Sequence, residues 1–181
     1  IRGPKGTEVR LTVKKADGGT KIIPIIRDIV VLEETFARSA VIQNSYSRNG
    51  IGYIKLPKFY ADFQNKNGRS CAKDVRTELE KLKAEGVDGI VLDLRNNGGG
   101  SLMDVVDMAG LFIEQGPIVQ VRSRYGDPQV LEDTDKSVVY DGPLAILVNS
   151  SSASASEILA AAIQDYKRGI IVGTPTFGKG T

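Results

Sequence analysis

The 181-residue sequence has no histidine. That absence excludes a Ser-His-Asp triad, a Cys-His pair, an HExxH zinc site and a phosphohistidine intermediate, so any nucleophile here takes a lysine or a carboxylate as its base. A single cysteine, Cys71, cannot close an internal disulfide. No run approaches the ~18 apolar residues that cross a membrane, and the first residues lack the layout of a signal peptide. Charge of one sign is scarce: 24 Lys and Arg stand against 22 Asp and Glu, a net charge of +2. Nucleic-acid-binding domains usually carry a basic excess, so nucleic acid is not an expected partner. With 41% hydrophobic and 25% charged residues the composition is that of an ordinary globular protein. The length fits one domain, or one domain with a fragment of another. The chain starts within a pattern at Ile1 and stops at Thr181 directly after Gly-Lys-Gly. It therefore reads as a piece of something longer.

Val9, Leu11 and Val13 alternate with polar residues, and Asp17-Gly18-Gly19 separates them from Ile22, Ile23, Ile25 and Ile26, which predicts a β-hairpin. Residues 28–39 show no clear period and read as a connector, with a boundary near Glu34. Beyond it, a strand is expected over 51–55, then an aromatic stretch over 59–63 and a polar loop over 64–69. Ser70 can cap a helix whose apolar face is Val75, Leu79 and Leu82, ending at Gly86. Two further rounds of strand, turn and helix follow. The first runs from the strand at 90–94 through Gly98-Gly99-Gly100 to a helix reaching Phe112, then a strand over 118–121. After a polar, turn-rich stretch over 122–141, the second runs from the strand at 144–148 through a Ser-rich turn to a helix over 157–166 and a strand over 170–172. Alternation of this kind predicts an α/β fold with a mostly parallel or mixed sheet. Both turns lie where strand carboxyl ends meet helix amino ends, the ligand-binding edge of such sheets.

Three segments could carry chemistry. The run Ser150 to Glu157 holds five serines at a helix start. It can be a capping cluster, or it can present one serine as a nucleophile beside helix amides that favour developing negative charge. The run Asp93 to Gly100 is either a flexible turn or a bare backbone that approaches a ligand closely. The run Gly173 to Thr181 matches most of a Walker A loop, but Gly180 replaces the hydroxyl residue that holds Mg²⁺ and Pro175 removes an amide. Nucleotide binding is thus the weaker reading there, beside a plain surface lysine or a lysine brought inward as a base. Cys71, next to the Ser70 cap, reads as structural.

Taken together, SASASEI at 152–158, DLRNNGGG at 93–100, PTFGKGT at 175–181 and IGYIKLPKFY at 51–60 resemble the carboxy-terminal processing peptidases, also called tail-specific proteases, which use a Ser-Lys dyad. The opening IRGPKGTEVRLTV is similar to the closing strands of the PDZ domain that precedes the catalytic core in that family. The resemblance implies a ClpP/crotonase-like core over residues 35–181, truncated at its C-terminal end. It also implies a PDZ remnant with linker over 1–34. The family nucleophile falls on Ser154 and the general base on Lys179, 25 positions later. The oxyanion donors fall on the amide of Ala155 and on Gly99 or Gly100, and Glu157 and Asp165 match assisting residues of some members. No metal or cofactor is implied. Implied partners are unfolded or tagged polypeptides with apolar C-termini, a further copy of the chain or an adaptor protein, and the implied location is the bacterial envelope. A lysine base near neutral pH must lose about 3 units from its reference pKa of ~10.4, which burial in apolar surroundings such as those offered by Phe177 would supply. The alternative from another class is a catalytically silent scaffold that binds protein C-termini.

Overall fold

A computed structural model describes residues 1, 3–28, 33–63, 65 and 68–180. The chain divides into two units, Ile1–Glu33 and Glu34–Thr181. Parts of the expected connector (29–32) and of the expected polar loop (64, 66 and 67) lie outside the described residues, as does Thr181.

In the first unit, β1 (Glu8–Lys14) and β2 (Thr20–Ile26) form the expected antiparallel hairpin, with Glu8 opposite Ile26 and Lys14 opposite Thr20. The Lys15 N–H donates to the Gly19 carbonyl at 2.8 Å and closes the loop.

The second unit is a mixed five-stranded sheet with three helices. Its elements in chain order are β3 (Arg38–Ile42), β4 (Ile51–Lys55), α1 (Cys71–Glu85), β5 (Gly89–Asp93), α2 (Leu102–Ala109), β6 (Gly116–Val121), β7 (Gln129–Asp133), β8 (Leu144–Val148), α3 (Ala155–Asp165) and β9 (Ile170–Gly173). The sheet order is β3-β4-β5-β8-β9; only β3 runs antiparallel, and the other four strands are parallel. Each step between parallel neighbours goes in the same direction. Right-handed crossovers therefore put α1, α2 and α3 on one face, where α1 packs on α2 and α2 on α3. Val75, Leu79 and Leu82 of α1 are fully buried, as are Leu92, Ile146, Met108 and Leu159, so one core joins sheet and helices.

Three expectations need correction. The helix expected to reach Phe112 stops at Ala109, because the next residues tighten into turns in which Leu111 and Phe112 donate to Met108 and Ala109. Phe112 is still buried, from a turn rather than a helix. The second difference is β3, an edge strand of alternating exposed and half-buried residues that begins at the end of the expected connector and runs on to Ile42, where no element was expected. Third, β7 lies inside the polar stretch and pairs with β6 in a separate two-stranded ribbon, so β6 is not part of the main sheet.

Because β5 pairs directly with β8, the turns leaving these strands are neighbours, and an anchored charge stands below them. Asp93 ends β5 with no exposure and accepts from Arg95 N (2.8 Å), Arg95 Nη2 (2.9 Å), Lys55 Nζ (3.0 Å) and the Tyr53 hydroxyl. Burial opposes its charge, but the hydrogen bonds from Arg95, Tyr53 and Lys55 outweigh it and hold the carboxyl well below the usual carboxylate range. A group with a depressed native pKa stabilises the fold above its unfolded pKa and loses that contribution as pH falls through the native value. Lys55 and Arg95 keep 35% and 49% side-chain exposure, so they would remain hydrated if the acid were removed. Asp93→Asn is expected to cost about 1–3 kcal/mol in urea unfolding at pH 7, less than breaking a fully buried pair. The gap should narrow below about pH 4, as the carboxylate protonates first in the unfolded chain and, at lower pH still, in the folded one.

Candidate active site

The turn after β5 is held by one side chain. Asn97 has no exposure; its Nδ2 donates to the Leu56 carbonyl (2.8 Å) and its Oδ1 accepts from Gly99 N (2.9 Å). Its carbonyl accepts from Ala153 N (3.0 Å) and from the Ser156 hydroxyl (2.9 Å), reaching across to the turn after β8. Asn96 adds a reciprocal pair with Asn149, at 3.0 and 2.9 Å. The two turns are thus bonded into one unit.

Their contact also explains two of the glycines. Gly99 has φ +94°, and a Cβ there would stand 2.7 Å from the Ala153 carbonyl oxygen and 2.8 Å from Ser154 Cβ. Gly100 has φ +150°, and its Cβ would meet the Phe59 carbonyl oxygen at 1.9 Å. Only a residue without a side chain lets these backbones approach so closely.

The serines after β8 separate by what they touch. Ser152 and Ser156 have no exposure and are pins: the Ser152 hydroxyl donates to the Leu94 carbonyl (2.9 Å) and accepts from Asn149 N (2.9 Å), while Ser156 holds Asn97. Ser150 and Ser151 belong to the turn. Ser154 is the helix N-cap residue, with φ +56° and ψ −115°. A left-handed φ on a serine costs of order 1–3 kcal/mol and persists only where the surroundings impose it. Here the Asn97 and Glu157 bonds on either side impose it.

The third segment of the site, which follows β9, is fixed by Glu157. Its carboxylate accepts from Ser154 N (2.8 Å), the Thr176 hydroxyl (2.8 Å), Gly178 N (2.6 Å) and Lys179 N (2.9 Å). Phe177 N donates to the Ser152 carbonyl at 3.0 Å. Burial works against the Glu157 charge, but Thr176 and the amides of Gly178, Ser154 and Lys179 prevail and lower its pKa. The same bonds answer the Walker-like match, because a phosphate-binding loop needs bare amides and here an internal carboxylate occupies those of Gly178 and Lys179.

Ser154 and Lys179 line one cleft of about 360 Å³ together with Pro57, Lys58, Gly98, Gly99 and Gly100. Of the expected amide donors, Ala155 N–H opens α3, and neither it nor Gly100 N–H has an acceptor among the described residues. Gly99 does not fit: its N–H is already given to Asn97. Asp165 is not among the residues that line this cleft. It ends α3, about 16 Å from Ser154 at 1.5 Å per residue, beside Pro117 and Tyr166. The surroundings of Lys179 differ from expectation as well, since Lys179 is exposed and Phe177 is 67% exposed. Cys71 has no exposure, and burial pushes its thiol pKa up, as suits a structural residue. Sequence reasoning assigned nothing to Asn97, Thr176 or Lys58. The first two act through long-range bonds that no local pattern marks.

A tail-specific protease of Haemophilus influenzae is 45% identical over 182 residues, covering 100% of this chain and 25% of its own length. A carboxyl-terminal-processing protease of Synechocystis sp. is 37% identical over 183 residues, covering 99% and 40%. The chain thus spans between a quarter and two fifths of the length of these relatives. Among solved structures, a photosystem II D1 C-terminal processing protease matches with TM-score 0.66 and 30% identity, over 98% of this chain and 46% of that one. Residues 50–181 match the profile named Peptidase family S41, and the chain belongs to that family.

Proposed function

We infer that this chain carries the active centre of a serine peptidase that cleaves polypeptides near their C-termini through a Ser154–Lys179 dyad. The observation that carries the reading is Ser154 itself, a serine with left-handed φ at a helix N-terminus that shares one cleft with Lys179 and Gly100 and is followed directly by Ala155. In this reading Lys179 Nζ takes the proton from Ser154 Oγ as the oxygen attacks the peptide carbonyl. The N–H groups of Ala155 and Gly100 receive the oxyanion, and the protonated lysine returns its proton to the leaving amine. Water then releases the acyl group by the same route. A lysine that acts as a base has to be stripped of water. Lys179 is exposed in the open cleft, so the bound polypeptide supplies the covering.

The names of the relatives support a C-terminal processing role for the longer protein; unfolded or tagged chains as substrates and the bacterial envelope as the site of action are part of the proposal and rest on the family resemblance alone. The hairpin β1–β2 is read as the end of a PDZ domain, the second unit as a ClpP/crotonase-like core, and assembly with a further copy or an adaptor as a property of the longer protein. No cofactor enters the scheme.

Ser154→Ala and Lys179→Ala in the full-length protein are each expected to lower cleavage of an unfolded test protein by about a thousandfold or more, read by intact mass. Cleavage surviving Ser154→Ala would assign the nucleophile elsewhere, and peptide binding without cleavage by any form would favour the silent scaffold. Glu157→Gln should lower kcat more than it raises KM, because it loosens the segment that carries Lys179 rather than the substrate. Since the Glu157 pKa is lowered, the clamp should hold throughout neutral pH and open only below the ordinary glutamate range near ~4.3. Hydrogen exchange at the Gly178 and Lys179 amides is the direct measure: slow at pH 6 in the wild type, fast in Glu157→Gln.

A further inference from the structure

Lys58 reaches the cleft through the anchoring of its neighbour. Phe59 is 1% exposed; its N–H donates to the Gly99 carbonyl (3.1 Å) and its carbonyl accepts from Ser101 N (2.9 Å), so residues 57–59 run alongside the glycine turn. Successive side chains of an extended segment point to opposite sides. Burying Phe59 therefore turns Lys58 outward, where it lines the cleft with Ser154 and Lys179. Lys55, three residues earlier, is paired with Asp93 at 3.0 Å, whereas the Lys58 ammonium has no ion-pair or hydrogen-bond partner among the described residues.

The charges around it have one sign. Among the described residues, no acidic side chain lines the cleft. Glu157 lies behind it with its carboxylate committed to three amides and a hydroxyl, and Asp93 is enclosed by Arg95, Lys55 and Tyr53. The cleft thus offers two ammonium groups and the glycine backbone of residues 98–100 beside the N-terminus of α3, with no acidic side chain among its described lining residues.

We propose that Lys58 is a specificity-determining residue that selects a carboxylate on the substrate polypeptide, an acidic side chain or the terminal carboxylate, close to the bond presented to Ser154. The inference rests on the reading of the cleft as a peptidase site and adds a substrate preference to it. Lys58 makes the contact in the bound complex and takes no part in proton transfer.

The test uses peptide pairs that differ only in Asp against Asn at positions flanking the cleaved bond, and pairs that differ only in a free against an amidated C-terminus. These are presented to the full-length protein and its Lys58→Ala, Lys58→Glu and Lys58→Arg forms. The acidic member of at least one kind of pair is expected to have about fivefold higher kcat/KM in the wild type, as an exposed ion pair allows, with the ratio shrinking as salt rises. Lys58→Arg should keep the ratio, Lys58→Ala should bring it to about one and Lys58→Glu should reverse it. A preference confined to Asp over Asn names the side chain as the source, and one confined to free over amidated termini names the terminus. Fluorescence anisotropy with the Ser154→Ala form gives the same ratios without turnover. Equal binding of both members to that form, or a ratio unchanged by Lys58→Ala, overturns the proposal. Charge-selective binding that depends on Lys58, with no cleavage by any form, supports it while removing the peptidase reading.

Discussion

Asn97 is buried with both its amide side chain and its backbone engaged, and the site rests on that enclosure. Its N–H donates to Leu94 (3.1 Å), its Nδ2 to Leu56, its Oδ1 receives Gly99, and its carbonyl receives Ala153 and Ser156. These bonds tie the segment after β4, the turn after β5 and the turn after β8. A buried amide left with an unmatched donor or acceptor costs about 1–3 kcal/mol per group, so no one of the three segments can shift without leaving such a group behind. That rigidity is what allows Ser154 to hold a φ that a free serine would abandon.

The backbone amides around Ser154 fall into two sets. One set, Ser154, Gly178 and Lys179, is occupied by the internal anion of Glu157. The other, Ala155 and Gly100, has no acceptor among the described residues, and Gly100 lines the cleft. Had Glu157 been absent, the first set would also attract an external anion and the Lys179 segment would lack its attachment. The carboxylate therefore has two consequences at once: it fixes the backbone of the lysine segment, and it restricts the unfilled donors to the side facing Ser154. Its lowered pKa records the cost that those four hydrogen bonds overcome.

Local pattern carried the strands and helices with apolar periodicity, because Val75, Leu79 and Leu82, or Leu144, Ile146 and Val148, mark a buried face directly. It missed β3 and β7, whose ordering comes from a partner strand rather than from their own apolar residues. At the site, the sequence could point to a serine among five but could separate them only by resemblance; burial separates them physically, since Ser152 and Ser156 are consumed by long-range bonds. Asp165 was singled out by resemblance alone, and it stands at the far end of α3 from Ser154, beside Tyr166. Lys58 was invisible because its direction is set by Phe59, whose bonding partners are 40 and more residues further along the chain.

Lys179 brings two requirements into tension. Its backbone is held by Glu157, yet its side chain stands in water, and a base of this type needs water removed. A substrate that covers the cleft answers that need, but a substrate carboxylate lying beside Lys179 would favour the ammonium form and work against proton removal. Lys58 resolves the conflict by giving the anion a separate cation on the segment after β4 that borders the glycine turn. The same feature limits how close the carboxylate can come to the dyad, because an anion within a few ångströms of both lysines would gain from pairing with either. Specificity for an acidic group and reactivity of the dyad are compatible only while Lys58 is the better partner.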